Sequence, residues 1–302
     1  MSSWDPGGVG RGTGKVHMLV RFIRVEHTFL SLPMAYTGAF VAVLGVPPVA
    51  VLVLVFFALF FLRVSGMTID NIVDMGADAA NPRTRNRPLV TGAMSMKEAR
   101  LLMASGLLGF FVSAYLINPW ALAFSPLVAF FVITYPYVKK YTSAGAFHIA
   151  AIEALSVFSG AVASAGLAAG TLYEVAYRIP WLFVAATLLW AVGFDLYNHI
   201  QDMEFDRSMG LKNLTLLLGG GALRFAGMNQ VASVALAFLA DYAYDLGPLS
   251  YGATVAHGMV MALAYRAAQK GDYGVAFNYN IYSSVVLGVG IVVDVVLGRP
   301  FA

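Results

Sequence analysis

Asn71, Asp74 and Asp78 recur at intervals of three and four residues, and Asp195, Asn198, Asp202 and Asp206 repeat the pattern further along the chain. At 100° per residue, spacings of three, four, seven and eleven return to nearly the same side of a helix, so each set forms one stripe. A carboxylate within a membrane span is unfavourable by roughly 2.5 to 3.5 kcal/mol even on the lenient insertion scale, so clusters of them call for cations, water or both. Gathered oxygen donors of this kind suit a divalent metal, and Mg²⁺ commonly binds through one or two carboxylates plus substrate phosphates. Arg63 lies on the first stripe, deeper in the same apolar run. It reads either as a buried counter-ion of the acids or as a ligand for an anionic substrate held between it and the metals. The second reading is preferred, because metals already satisfy the acids and intramembrane Arg generally faces a functional cavity. A diphosphate suits this combination, with Arg and Lys taking the oxygens that the metal leaves.

Composition sets the elements that must position these residues. Of 302 residues, 59% are hydrophobic and only 12% charged, with mean hydropathy +0.74, against roughly 25% charge in a soluble domain. The chain therefore reads as an all-α polytopic membrane protein forming one intramembrane domain over residues 1–302. With no Cys, disulfides, thiolate zinc sites and cysteine nucleophiles are excluded. Residues 1–15 form a polar, Gly-rich tail without an apolar core, so no cleavable signal peptide is expected. Its GGVGRGTG at 7–14 follows no strand and opens no βαβ unit, and reads as a flexible tail rather than a nucleotide loop. No nucleic-acid partner is expected.

Nine apolar runs of about twenty residues can be cut at charged or Pro/Gly-rich segments. They lie near 24–44, 47–70, 96–117, 119–138, 145–169, 179–199, 220–243, 248–267 and 275–297. The second and sixth are expected to continue as helices to about Asp78 and Asp206, since the acids keep helical register. Arg11, Lys15, Arg21 and Arg24 precede the first run, and Arg83, Arg85, Arg87, Lys97 and Arg100 follow the second. Lys139 and Lys140 follow the fourth, Arg207, Lys212 and Arg224 the sixth, and Arg266 and Lys270 the eighth; Arg178 and Arg299 are the exceptions. The positive-inside rule then puts the N-terminus in the cytoplasm, the C-terminus outside and both acidic stripes toward the cytoplasmic side. A faint repeat, Asn71-x2-Asp74-Met75-x2-Asp78 against Asn198-x3-Asp202-Met203-x2-Asp206, suggests two related four-helix halves, about 47–169 and 179–297, around a central cavity. Ser156, Gly160, Ser164 and Ala168 recur every four residues and read as close helix packing.

Other polar residues divide between functional and plainer readings. The basic loop NPRTRNRP at 81–88 is a positive-inside anchor whose Arg residues also neighbour the first stripe. In YPYVKKYT at 135–142, Lys139 and Lys140 either hold phosphate or mark the membrane boundary. Glu204 points away from Asp195, Asp202 and Asp206 and reads as a surface acid, while Asp70 sits at the edge of its stripe. Glu26, His27, His148, Glu153, His257 and Asp294 read as polar groups hydrogen-bonded within the bundle and receive no catalytic role.

Four segments carry a resemblance: RVEHTFLSLPMAYTGA at 24–39, NIVDMGADAANPRTRNRPLVTG at 71–92, YPYVKKYT at 135–142 and GFDLYNHIQDMEFDRSMGLK at 193–212. In that order, and over nearly the whole chain, they resemble the intramembrane aromatic prenyltransferases of the UbiA superfamily, particularly the branch containing 4-hydroxybenzoate polyprenyltransferases. The resemblance implies Mg²⁺-dependent transfer of an isoprenyl group from an isoprenyl diphosphate to an aromatic or other lipophilic acceptor, within membrane lipid. It implies two Mg²⁺ ions, one held by Asp74 and Asp78 with Asn71, the other by Asp202 and Asp206 with Asp195 or Asn198. Arg63 and Lys139 would stabilise the leaving diphosphate, and Tyr135 and Lys140 would join them in binding substrate. A side opening to lipid is expected for so insoluble a substrate. Many members carry Tyr three residues after the first Asp of the second motif, where this chain has Asn198 beside Tyr197. Transfer to a glycerol-phosphate lipid precursor or to another quinone or porphyrin ring stays open, as does a secondary transporter, which also uses intramembrane carboxylates and repeated halves.

Overall fold

The computed structural model of the chain describes residues 14–23, 28–82, 84–208 and 210–298. The Gly-rich tail, Arg11, Arg24, Glu26, His27, Arg83 and Arg299 lie outside the described residues. Among those described, every regular element is helical and none is a strand. Helices α1 (Lys15–Ile23) and α2 (Thr28–Val41) lead into the long α3 (Val49–Ala80), and the single turn α4 (Pro88–Thr91) precedes α5 (Met96–Ile117), α6 (Pro119–Tyr141) and α7 (Gly145–Ala165). There follow α8 (Leu172–Arg178), α9 (Trp181–Gln201), α10 (Met203–Ser208), α11 (Leu214–Leu218), α12 (Ala222–Ala243), α13 (Pro248–Gln269) and α14 (Tyr273–Gly298).

Seven helical segments among the described residues are long and apolar enough to cross a membrane. They match seven of the nine expected runs. Of the other two places, α2 is described over Thr28–Val41 alone, and α13 has the length but carries Ser250, Thr254, His257 and Arg266, which lower its hydropathy. The fifth run ends at Ala165 rather than near 169.

Local chemistry sets where the helices start and stop. Ser95 and Glu98 form a reciprocal cap on α5, with Glu98 N–H donating to Ser95 Oγ at 3.2 Å and Ser95 N–H to Glu98 Oε2 at 2.8 Å. Asn118 opens α6 by accepting from Ala121 N–H at 2.8 Å, with Pro119 in the first turn. The same side chain donates to the carbonyls of Val162 and Ala163, tying the α5–α6 turn to the end of α7.

Each long helix packs on its neighbour in a ring. Helix α3 lies on α5, α5 on α6, α6 on α7, α7 on α9, α9 on α12, α12 on α13, α13 on α14 and α14 on α2, which touches α3 and crosses closely against α7. The α2–α7 crossing depends on small residues. A Cβ at Gly160 would run into the backbone of Ala35, and one at Gly38 into the backbone of Val157, so the two helices approach to backbone contact as the small-residue stripe anticipates. Ser156 and Ser164 are buried on that stripe, while Ala168 falls beyond the helix.

The two halves of the ring are filled differently. Phe183, Trp190, Leu196, Tyr197 and Ile291 close the interior among α2, α9, α12, α13 and α14. Among α2, α3, α5, α6 and α7 there is instead a cavity of about 170 Å³. This corrects the expectation of one cavity shared by both halves: its lining comes from α2 and the first half, because large aromatic side chains occupy the second.

Gly160→Ala should therefore lower the thermal midpoint of the detergent-solubilised protein, by an overpacking penalty of about 1–3 kcal/mol. An unchanged melting temperature would show that α2 and α7 do not meet so closely.

Candidate active site

Helix α3 continues without a break to Ala80, so Asp70, Asp74 and Asp78 stand on successive turns. The second stripe does not continue in this way. Helix α9 ends at Gln201, Asp202 is its C-cap with φ −96° and ψ 7°, and Asp206 lies on the separate α10. The break lets Asp206 turn toward other partners: Asn213 donates to Asp206 Oδ2 at 2.6 Å, and the chain doubles back through a Leu211 N–H bond to the Asp206 carbonyl.

Asp70, Asp74, Asp78 and Asp206 each meet a side-chain cation or donor. Lys139, in the last turn of α6, donates to Asp70 Oδ1 at 2.5 Å and lies 2.7 Å from Asp74 Oδ2. Arg87 comes back from the α3–α4 loop to donate to Asp78 Oδ2 at 2.6 Å. On the other stripe His199 lies between two acids, with Nε2 3.3 Å from Asp195 Oδ2 and Nδ1 3.9 Å from Asp206 Oδ2. The first of these contacts falls short of hydrogen-bond geometry, leaving Asp195 Oδ2 buried without a donor. Tyr135 joins the stripes. It lies within electrostatic range of Asp195 and also of Lys139, Asp70 and Asp74, and the Lys139 ammonium stands 5.3 Å from its ring centre.

Asp70 and Tyr135 also line the head of the cavity, whose walls beyond them are largely apolar. Arg63 lines it too, but seven residues below Asp70 on α3, about 10 Å along the axis. There its Nη2 donates to Ser31 Oγ at 3.2 Å, and Ser31 Oγ donates to Glu153 Oε2 at 2.8 Å. Arg63 thus belongs to a cross-cavity chain from α3 through α2 to α7, rather than to the Lys139 cluster.

The remaining sequence-derived residues fall as follows. Asn71 is buried and its amide donates to the Met67 carbonyl of its own helix, so the neighbouring Asp70 faces the cavity in its place. Asn198 is exposed, Asp202 partly so, and Glu204 is exposed as expected. Lys140 sits 5.9 Å from the Tyr141 ring, beyond the acids. Tyr197 faces away and donates to Gln230 Oε1 at 2.8 Å, so it does not stand in for the tyrosine that Asn198 replaces. His148, His257 and Asp294 are hydrogen-bonded within the bundle.

Asp70, Arg87, His199, Asn213, Ser31 and Glu153 were not picked out as site residues by spacing. Asp70 had a readable signal, since 70, 74 and 78 form a stricter four-residue ladder than 71, 74 and 78. His199 had another, following Asp195 by one helical turn. Arg87 and Ser31 had none, because loop closure and the α2–α3 approach bring them in.

The donor set fits a hard divalent cation, being carboxylate oxygen throughout with one buried oxygen lacking a donor. Among the described residues no three His or acidic side chains already converge on one point, as expected where phosphate oxygens complete the coordination.

The UbiA prenyltransferase family model matches residues 31–282. The chain is 31% identical over 274 residues to the 4-hydroxybenzoate octaprenyltransferase of Nitrosococcus oceani, covering 89% of this chain and 93% of that protein. It is 28% identical over 288 residues to the protein of the same name from Xanthomonas euvesicatoria pv. vesicatoria, covering 93% and 92%. Among solved structures, the apo form of a UbiA homolog from Aeropyrum pernix K1 superposes with TM-score 0.85 at 41% identity, covering 90% of this chain and 98% of that one. A UbiA homolog from Archaeoglobus fulgidus bound to GPP and Mg²⁺ shares the fold, with TM-score 0.65 at 19% identity over 89% and 99% of the two chains.

Lys139→Met should leave Asp70 and Asp74 without their cation, destabilising the metal-free protein by on the order of 3 kcal/mol. Melting in EDTA should show the loss and added Mg²⁺ should reverse part of it. Equal melting of variant and parent in EDTA would mean that the ion pairs contribute nothing.

Proposed function

Because the chain belongs to the UbiA prenyltransferase family, we propose that it transfers an isoprenyl group from a polyprenyl diphosphate to an aromatic acceptor such as 4-hydroxybenzoate, releasing diphosphate. Family membership makes it a prenyl-transferring enzyme, and the transporter reading falls away. One observation carries the rest: a head of acids paired to exchangeable cations stands over a largely apolar cavity, matching the charged head and hydrocarbon body of such a donor.

Asp74 and Asp78 would hold one Mg²⁺, and Asp202 and Asp206 with Asp195 a second; Asn71 and Asn198 are less well disposed. When bound, the ions supply charge stabilisation at the diphosphate oxygens. Lys139 and Arg87 exchange their carboxylate partners for phosphate oxygens, and Tyr135 packs between the stripes beside the reacting end. Their positive charges stabilise the negative charge that grows on the leaving group, an electrostatic contribution largest where water is excluded. The apolar walls hold the tail and keep water from the allylic cation. An electron-rich ring attacks that cation and then loses a proton. Arg63, away from the diphosphate head, is better placed for the acceptor than for the leaving group.

The same reading has nine spans in two related halves, with α2 and α13 crossing alongside the seven most apolar segments. It places the N-terminus in the cytoplasm and the acids toward that side, following the Lys and Arg distribution.

Asp74→Ala and Asp202→Ala should each abolish Mg²⁺-dependent transfer while leaving a folded protein, checked by size-exclusion in detergent beside product analysis. Undiminished turnover in either variant would sink the metal assignment. Incubating the parent protein with Mg²⁺, geranylgeranyl diphosphate and a panel of aromatic and glycerol-phosphate acceptors, with products read by mass, identifies the acceptor. Product from glycerol phosphate alone would refute the aromatic reading.

A further inference from the structure

We propose that Glu153 is a catalytic residue of the transfer: it takes the proton that the acceptor loses. This rests on the prenyl-transfer reading and adds the group that reading lacks.

Three acids outside the two stripes are buried among the described residues, Glu153, Asp241 and Asp294. Asp294 spends both carboxylate oxygens on the first turn of α13, accepting from Gly247 N–H at 2.6 Å, Leu249 N–H at 3.1 Å and Ser250 N–H at 3.3 Å. Asp241 likewise uses both, accepting from the hydroxyls of Ser250 and Thr254 at 2.6 and 2.7 Å. These are helix ties with no oxygen to spare.

Glu153 is built differently. Its side chain is 3% exposed, yet it lines the cavity. Oε2 accepts from Ser31 Oγ, whose own oxygen accepts from Arg63. Among the described residues Oε1 has no hydrogen-bond partner, and it is not one of the fully buried unsatisfied atoms, on a side chain that lines the cavity. A buried carboxylate with one free oxygen is unfavourable as a structural element, whereas an oriented carboxylate facing a substrate space is what a general base requires. The guanidinium, acting through Ser31, fixes the orientation of the carboxylate.

Its depth is suitable. Glu153 lies eight residues into α7, about 12 Å along the axis, from Gly145, which abuts Lys139. The carboxylate therefore stands below the cationic head of the cavity, on the side where an acceptor meets the donor's first carbon. The carboxylates at the head itself are committed to Lys139, Arg87 and metal, and the Tyr135 phenol is a poor base.

The step balances. The bond from the donor's first carbon to the diphosphate oxygen breaks, and its electron pair stays on diphosphate. The acceptor's ring carbon bonds to that carbon. The hydrogen on the ring carbon leaves as a proton to Glu153 Oε1, its electron pair restoring the aromatic ring, and the neutral acid returns the proton to water as product departs.

Full-length protein in detergent with Mg²⁺ and geranylgeranyl diphosphate tests this, using whichever acceptor the parent protein turns over, protiated and deuterated at its reacting position. Binding of a non-reacting thiolodiphosphate donor analogue is measured beside it. Glu153→Gln should keep donor affinity, lose about 10²- to 10⁴-fold in kcat, and show a primary deuterium isotope effect absent from the parent, because proton loss becomes limiting. Wild-type turnover in the variant overturns the inference, and so does slowed turnover without an isotope effect, which marks a merely structural role. Should Glu153→Gln fail to bind donor, Glu153→Asp decides: slowed turnover with the isotope effect supports the base, and its absence refutes it. A parent protein inactive toward every acceptor overturns prenyl transfer and this inference together, whereas an active parent with an unaffected variant overturns this inference alone.

Discussion

Negative charge out of water must be matched, and the manner of matching separates the working acids of this bundle from the supporting ones. Asp241 and Asp294 are satisfied by hydroxyls and backbone N–H groups that cannot leave without unravelling a helix end. Asp70, Asp74 and Asp78 are satisfied by Lys139 and Arg87, long side chains that can let go. A carboxylate held by a fixed dipole is a bracket, while one held by a flexible cation is a site where one cation can be replaced by another. Under the proposed function, a diphosphate with its metal would offer the acids a new cation and the Lys and Arg a new anion at once, so exchange would leave no charge bare.

That arrangement needs three helix ends to meet. Helices α3, α6 and α9 contribute Asp70 to Asp78, Lys139 with Tyr135, and Asp195, and short connections bring their C-terminal ends to one side of the ring. Backbone contact between α2 and α7 at Gly38 and Gly160 draws Ser31 to Glu153 across the cavity. The packed aromatic interior of the second half leaves the hydrocarbon-sized space in the first. Charge exchange at the head and an apolar body beneath it are thus consequences of helix packing, not of any single motif.

How much of this was legible in the sequence depended on whether the determining interaction was local. Helical periodicity and the hydrophobic runs located the long helices, and α3 carries its acids to Ala80 as the register required. The same rule failed at Gln201, because periodicity describes a helix's stripe but not the Asn213 amide that Asp206 meets beyond the break. Asn71 and Asp70 are adjacent in sequence and only their rotation decides which meets the cavity; neighbouring helices set that rotation. Arg63 was legible as an intramembrane cation facing a cavity, yet its partner is Ser31, thirty-two residues away on another helix. The one-sided lining of the cavity depends on how side-chain volume is shared between halves, which no short window of sequence contains.

The chain from Arg63 through Ser31 to Glu153 follows from the same constraint with which the acids began. A cation placed among apolar walls demands an anion, and an anion so placed demands donors; the three residues meet these demands jointly except at one oxygen. Were the chain only a structural tie, a second donor on Glu153 would be the lower-energy solution, as Asp241 and Asp294, the two other buried acids outside the stripes, display. Leaving Oε1 open is tolerable if a ligand fills the deficit, and a phenolic acceptor brings a hydroxyl before reaction and a departing ring proton during it. Under the proposed transfer the unfilled valence stands where the substrate's chemistry needs it, and an acceptor would complete a hydrogen-bond network that the described residues leave one donor short.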